Sequence, residues 1–330
     1  MFLKETISFC STCYKRIPAK LYIEKNGSVT IKKRCPEHGK TKSMVERNSE
    51  YYLQCMSSEA KNIYNGYFID VTEKCNMNCK YCYFKTSNRQ DPSINSIFQE
   101  CKICFNLRPF ILHGGEPTMR DDLPELIEAL QKIARVELLT NGSGLMKRFD
   151  DLAEHIVSDG MARINLSIHN PKIDIEILEE MRRRKIKIES ILWVIDDISQ
   201  IDEVIDFSSE YADVVESVRI KAATKLWNEQ KPESKIFVSD MLNYIKSRYD
   251  CEPIWWRNNK TSFFNLRIGT VYYMLVSWYD VENIDILDIM CPPMYRARNG
   301  QIENIVTACI INEGMQKGYL NGRKLDHGSL

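Results

Sequence analysis

Residues 71–84 read VTEKCNMNCKYCYF, placing Cys75, Cys79 and Cys82 on one short loop directly after the apolar, strand-like run 67–71. Three thiolates on one loop can hold three irons of a cubane, whereas a four-iron cluster takes four ligands. The fourth iron would keep a position open to something other than protein. A zinc knuckle or a ferredoxin fragment would need another Cys or His close by, and the loop has none. The same stretch opens a repeat. Apolar runs begin near Tyr67, Phe110, Val136, Ile164, Ser190 and Val218, roughly 26 to 28 residues apart after a longer first step that accommodates the cysteine loop. Between them, residues 121–133, 149–157, 173–181, 198–208 and 234–245 return apolar side chains at three- and four-residue steps, the period of a helix. Alternating strand and helix predicts an α/β fold with a parallel sheet and right-handed crossovers. The expected form is a partial (β/α)6 TIM-like barrel with its chemistry where the strand C-termini open.

The triad, with Tyr81 just before its last cysteine, resembles the signature of the radical S-adenosylmethionine (radical SAM) superfamily. The resemblance implies a [4Fe-4S] cluster on Cys75, Cys79 and Cys82, and S-adenosylmethionine bound at the open iron. It implies an electron donor such as ferredoxin or flavodoxin, and reductive cleavage to a 5'-deoxyadenosyl radical. Each strand end then becomes a candidate site. The second ends in His113-Gly114-Gly115-Glu116-Pro117. Adjacent glycines let backbone polar groups approach a ligand closely, and a carboxylate can pair with an ammonium. The resemblance implies that this element faces the amino group of the cofactor. It also implies cofactor contacts at Tyr81, at Thr140 and Asn141 after the third strand, and at Ser167 on the fourth. On the sixth strand, Arg219 or Lys221 is expected to bind an anion, with strand alternation turning only one of them inward. His113 and His169 are each expected either to exchange protons at the mouth or to sit hydrogen-bonded in the core.

A second ligand set lies upstream, with Cys10 and Cys13 in FCSTCYKR and Cys35 and His38 in RCPEHGK. Two close pairs joined by a hairpin-length segment supply the four ligands of a closed tetrahedral site, as in zinc ribbons. Residues 20–31 alternate around Asn26-Gly27, a strong hairpin signal. Zinc or a mononuclear iron fits, and His38 favours zinc. The ribbon carries nine basic residues against two acidic ones between Lys15 and Lys42. With no evident aromatic platform among them, nucleic acid is not an expected partner.

Composition bounds the rest. Lys plus Arg and Asp plus Glu are 45 each among 330 residues, and 44% of residues are apolar, which excludes a disordered chain and a strong long-range field. The N-terminal residues hold no signal-like apolar stretch, and the longest uncharged apolar run, 268–279, is too short to span a bilayer. A cytoplasmic location is therefore expected, and with it twelve cysteines used for metal rather than disulfides. Cys101 and Cys104 share a helix face and are expected to pack, and Cys55 reads as a small buried hydrophobe. Cys251, Cys291 and Cys309 leave an auxiliary cluster open as an alternative. The expected organisation is a zinc-ribbon-like module over residues 1–60, the barrel over 61–249, and a β-rich, aromatic-rich extension over 250–330 that closes the barrel.

The ribbon running into the triad resembles the subgroup that includes archaeal tetraether lipid synthases. This chain has no dense cysteine set after the barrel, which favours a smaller substrate or a single hydrogen abstraction over lipid coupling. The leading expectation is hydrogen abstraction from an unactivated carbon of a small-molecule, nucleoside or lipid substrate. The alternatives are maturation of a ribosomal peptide and, from another class, a non-catalytic metal-binding adaptor.

Overall fold

The structure, a computed structural model, describes residues 1–57, 66–79, 82, 86–103, 109–157, 162–168, 171–224, 234–254, 261–287, 294–298 and 301–304. Strands β1 (Phe2–Phe9), β2 (Arg16–Ile23), β3 (Val29–Cys35) and β4 (Gly39–Glu46) form an antiparallel sheet in chain order. From Arg16 to Leu21, β2 alternates exposed and buried residues, as a strand with one wet face must. The dry face, with Ala19, Leu21, Val29, Ile31 and Val45, packs on Tyr52 of α1 (Ser49–Ser57). The β2–β3 turn falls at Asn26-Gly27 as expected. Gly27 has φ +80°, and Asn26 Oδ1 accepts from the Ser28 N–H at 3.2 Å.

Six strands then run parallel: β5 (Gly66–Thr72), β6 (Phe110–Gly114), β7 (Val136–Thr140), β8 (Ala162–Ile168), β9 (Ser190–Ile195) and β10 (Ser217–Ala222). Each starts within two residues of its expected position. Helices α2 (Ile94–Ile103), α3 (Leu123–Gln131), α4 (Leu145–Val157), α5 (Pro171–Arg184), α6 (Gln200–Glu210) and α7 (Val238–Lys246) alternate with them or follow the last. One set of alternate strand residues, including Ile69, Leu112, Leu138, Leu166, Ile191 and Ile220, forms a single core with helix residues such as Leu126, Leu130, Ile177 and Met181. Each such Leu or Ile contributes about 1.5–3 kcal/mol by leaving water. The intervening residues, among them Asp70, His113, Glu137, Asn165 and Arg219, face the concave side by strand alternation. Near the strand N-termini that side is closed by polar contacts. Glu137 accepts from Asn165 Nδ2 at 2.9 Å and pairs with Arg135 at 2.5 Å, and Arg163 pairs with Glu216 at 3.2 Å.

The C-terminal part is β-rich as expected: β11 (Glu252–Pro253), β12 (Phe263–Ile268), β13 (Val271–Val276), β14 (Met294–Arg298) and β15 (Gln301–Asn304). Its described strands extend the main sheet. The hairpin β12–β13 joins β10, with β13 parallel to it, while β14 joins β5 in parallel and carries β15. The sheet is thus lengthened at both edges to eleven strands. Phe263, Phe264, Tyr273 and Trp278 are buried there.

Residues 280–287 hold the N-terminal sheet. Ser8 Oγ donates to the Ile284 carbonyl at 2.6 Å, and the Ile286 N–H donates to the Ile7 carbonyl at 2.9 Å. The buried Lys33 ammonium donates to the carbonyls of Phe9 at 2.7 Å and Val281 at 3.0 Å. Lys4 pairs with Asp285 at 3.0 Å, and Thr6 also donates to that carboxylate. At the far end Glu46 accepts from Ser239 of α7 and from the N–H groups of Arg47 at 2.6 Å and Asn48 at 3.2 Å. Burial pushes its carboxyl up to about 7 against those donors. Among the described residues no helix is long and apolar enough to cross a membrane.

Candidate metal centres and cofactor site

Cys75, Cys79 and Cys82 follow the C-terminal end of β5, all partly buried. The Cys82 N–H donates to the Cys79 carbonyl at 3.2 Å. Desolvation raises the Cys75 thiol and lifts Cys79 to about 11, and the neighbouring sulfurs add to both shifts. Three soft donors that repel one another when ionised need a cationic group among them. Among the described residues the side chains spaced for a single ion are those of the N-terminal sheet, not these three. The donor set fits a cluster that spans more space than one ion.

The loop is fixed mainly by the ends of β6 and β7. The Gly115 N–H donates to the Thr72 carbonyl at 2.8 Å and the Glu116 N–H to the Lys74 carbonyl at 2.7 Å. Gly114 has φ +138°, and a Cβ there would lie 2.1 Å from the Thr72 oxygen; one on Gly115 would lie 1.9 Å from the Lys74 oxygen. The glycines are needed because the chain's own cysteine loop passes against them. The Glu116 carboxylate is buried and accepts four hydrogen bonds. Oε1 takes the Thr118 N–H at 3.1 Å and the Thr118 and Thr140 hydroxyls at 2.6 Å each, and Oε2 takes the Asn141 N–H at 2.8 Å. Pro117 begins a short 3-10 turn (Pro117–Met119) that Glu116 caps. Gly114, Gly115, Glu116, Pro117, Thr140 and Asn141 therefore meet at one place beside Cys75.

Ser167 is half-buried on β8, one strand further along. Tyr81 and His169 lie outside the described residues, as do Cys104, Cys291 and Cys309. Cys55 and Cys101 are buried as expected, and Cys251 packs against the main core.

On the concave side His113 Nε2 lies 3.0 Å from Asp70 Oδ1 and its ring packs edge-on to Phe68. It is 2% exposed, and burial drives its pKa down to about 3. Arg219 and Lys221 are two residues apart and share one face of β10, so the expectation that only one turns inward is corrected. Lys221 stacks over Tyr279 at 5.1 Å, while among the described residues the buried Nε of Arg219 has no hydrogen-bond partner.

The upstream ligands come together as expected. Cys10 and Cys13 sit in the β1–β2 knuckle and Cys35 and His38 in the β3–β4 turn, their ligand atoms all within 4.8 Å of one another. Cys13 and Cys35 sulfurs are 3.9 Å apart, and His38 Nδ1 is 3.4 Å from Cys35 Sγ and 3.7 Å from Cys10 Sγ. A tetrahedral zinc with Zn–S of about 2.3 Å requires sulfurs about 3.8 Å apart. Tyr14 turns the knuckle with φ 59°, and the Thr12 N–H points at Cys10 Sγ at 3.5 Å. Desolvation pushes Cys13 up to about 11, the behaviour of a thiol gathered with others before a metal neutralises them.

Residues 69–206 match the radical SAM superfamily, the segment that carries the triad and the strand ends just described. The chain carries a radical SAM domain. Residues 2–47 match the HMPTM N-terminal zinc ribbon domain. Over 305 residues the chain is 26% identical to the 7,8-dihydro-6-hydroxymethylpterin dimethyltransferase of Methanocaldococcus jannaschii, covering 76% of this chain and 59% of that protein. It is 34% identical over 119 residues to the probable GTP 3',8-cyclase of Sulfolobus acidocaldarius, covering 34% of this chain and 36% of the cyclase. The chain thus spans less than two thirds of either relative, 59% of one and 36% of the other. Streptococcus suis SuiB bound to precursor peptide SuiA superposes with TM-score 0.48 at 16% identity, covering 60% of this chain and 50% of SuiB.

Several further residues brace the cysteine loop, and most of them carry no signal in the sequence. Asn76, inside the triad, accepts from Asn141 Nδ2 at 3.0 Å and donates to Ser143 Oγ at 2.6 Å. Asp91 accepts from Thr72 Oγ1 at 2.7 Å and Lys74 Nζ at 3.0 Å; desolvation opposes its ionisation, but those two donors hold its pKa below the usual range. The buried Arg120 clamps Asp122 with two bonds and donates to the carbonyls of Val71 at 2.6 Å and Pro92 at 2.9 Å. Only Asn76 had a cue, its position between two ligands.

Proposed function

We propose that the protein is a radical SAM enzyme that abstracts hydrogen from an unactivated carbon of a small, polar substrate. Cys75, Cys79 and Cys82 would hold a [4Fe-4S] cluster, with Gly114, Gly115, Glu116, Pro117, Thr140, Asn141, Ser167, Arg219 and Tyr81 as the cofactor-binding set. Bound there, the cluster and S-adenosylmethionine supply a 5'-deoxyadenosyl radical on one-electron reduction. The observation that carries this reading is the fastening of the cysteine loop to two successive strand ends through Glu116–Thr140–Asn141 and Asn76–Asn141. That bracing keeps the loop at the strand C-termini, where a parallel α/β sheet presents its ligands.

The concave face supports the substrate class. Half-buried Asp70 and Arg219 stand on it, and among the described residues the Arg219 Nε has no hydrogen-bond partner, which suits an anionic group of cofactor or substrate better than a lipid chain. The M. jannaschii relative, named for a pterin, is similar over 76% of this chain. A small, polar substrate is of that same kind.

Anaerobic reconstitution followed by dithionite and S-adenosylmethionine is expected to release 5'-deoxyadenosine. Cys79→Ala is expected to lower that release by at least a thousandfold with the ribbon metal retained, since one lost ligand undoes the cluster. Equal release from wild type and Cys79→Ala, or none from either at full iron loading, overturns the assignment and leaves the adaptor.

A further inference from the structure

The outward face of the N-terminal sheet gathers charge of one sign. Lys20, Lys32 and Lys42 stand directly opposite one another on β2, β3 and β4, and Arg34 stands opposite Lys40 in the next row of that face. The three lysine side chains are 43–53% exposed. Glu5 pairs with Lys20 at 2.8 Å, and Glu24 with Lys32 at 3.2 Å and Lys42 at 3.1 Å, which offsets only part of this charge. Like charges directly opposite each other weaken a sheet. Two successive rows of them carry five basic side chains against the two carboxylates of Glu5 and Glu24. The metal thiolates do not cancel them either. Cys35 is buried and turns to the other face from Arg34.

Folding also brings aromatic rings to this charge, which the linear sequence hid. Phe2 pairs with Tyr22 across β1 and β2, their rings 5.7 Å apart edge-on, and Phe2 is 49% exposed. Lys32 Nζ lies 4.3 Å over the Tyr22 ring, and Lys20 Nζ lies 5.9 Å from the Phe2 centroid. The basic row therefore runs alongside an aromatic pair on a sheet held to the barrel by its other face and by β1.

We propose that this face binds single-stranded nucleic acid, with phosphates along the Lys20–Lys32–Lys42 and Arg34–Lys40 rows and a base stacked at Phe2–Tyr22. A backbone-tracking basic strip with a neighbouring stacking surface is what unpaired strands require. An acidic peptide or a duplex uses the charges and leaves the rings idle. The proposal is independent of the radical chemistry, and it replaces the expectation of no nucleic-acid partner.

The test is fluorescence anisotropy of a labelled 20-nucleotide oligouridylate with the full-length, metal-loaded protein between 50 and 200 mM KCl. Binding is expected to weaken with salt with a log–log slope of about −3, each neutralised phosphate contributing about −0.7. The double variant Arg34→Gln, Lys40→Gln is expected to lose at least tenfold in affinity and to flatten the slope. It also relieves a like-charge pair, so its thermal stability is expected to hold or rise, separating loss of binding from misfolding. Tyr22→Ala, or Phe2→Ala should Tyr22→Ala unfold, is expected to lose about tenfold with the slope unchanged. No binding at 50 mM KCl overturns the proposal. So does equal affinity for heparin, duplex RNA or a poly-glutamate peptide with no effect of the aromatic variants.

Discussion

Gly115→Ala is expected to leave the protein folded but unable to retain its cluster, with iron after anaerobic reconstitution falling to about a tenth of wild type. The added Cβ would stand 1.9 Å from the Lys74 carbonyl oxygen and 2.5 Å from its carbon. Those are backbone atoms with no rotamer to yield, so the peptide next to Cys75 must move. Its movement breaks the Glu116 N–H bond to Lys74 and strains the Gly115 N–H bond to Thr72. The cost to the fold as a whole is that of ordinary overpacking, about 1–3 kcal/mol. A shift of that size lowers Tm by a few degrees without removing far-UV ellipticity. The cluster is hit harder, because ligand placement tolerates much less displacement than a loop does. Gly269→Ala is the matched control. It has φ +57° and nothing within 4 Å of its added Cβ, so it takes only the left-handed strain and keeps full iron. Iron and cofactor-dependent absorption measured on the three proteins decide the matter: a fully loaded Gly115→Ala protein refutes the bracing role given to this contact.

That contact also shows where reading the sequence stopped. The six parallel strands were legible because buried parallel strands are nearly continuous apolar runs and recur with their helices at a steady interval. The ribbon was legible because four ligands and an Asn-Gly turn constrain one another. The two glycines after β6 were recognised as a site of close approach, but an approach to ligand and an approach to backbone look the same in one dimension. Only the pairing of β5 with β6 shows Gly115 against Lys74. Asp91 and Arg120 were invisible for a related reason. Their partners, Lys74 and the Val71 carbonyl, are distant in sequence, and isolated charged residues usually face water. The same holds for the edges of the sheet. The β12–β13 hairpin announced itself locally, while its parallel junction with β10 depends on where β10 lies. Phe2 and Tyr22 are 20 positions apart and were not read as a pair, yet antiparallel pairing makes them neighbours.

Removing the metal from Cys10, Cys13, Cys35 and His38 is expected to loosen the 280–287 segment as well as the ribbon itself. The reason lies in what the ribbon holds. Lys33, two residues before Cys35, bridges the Phe9 carbonyl, one residue before Cys10, to the Val281 carbonyl. Ser8 and Ile7 fasten the next turn of the same segment at Ile284 and Ile286. The sheet beneath has a small apolar core, five strand residues on Tyr52, too little to fix the two knuckles alone. Metal binding in such small domains is a folding free energy, about 10–16 kcal/mol in zinc-finger peptides. Here the sheet has other contacts, so a smaller net loss follows. With metal at a thousand times its Kd the linkage is about 4 kcal/mol, or roughly 6 °C in Tm for a chain of this length. Cys35→Ser, or treatment with a chelator, is expected to give that shift. Amide hydrogen exchange is expected to rise at the same time in residues 5–15, in residues 30–40 and at Ile286, whose N–H is bonded to Ile7. The parallel core at β7 to β9 is expected to stay protected, because Leu138, Leu166 and Ile191 take nothing from the ribbon. Faster exchange in the knuckles with Ile286 unchanged would show that residues 280–287 are held by the barrel alone. The metal would then stabilise only its own sheet.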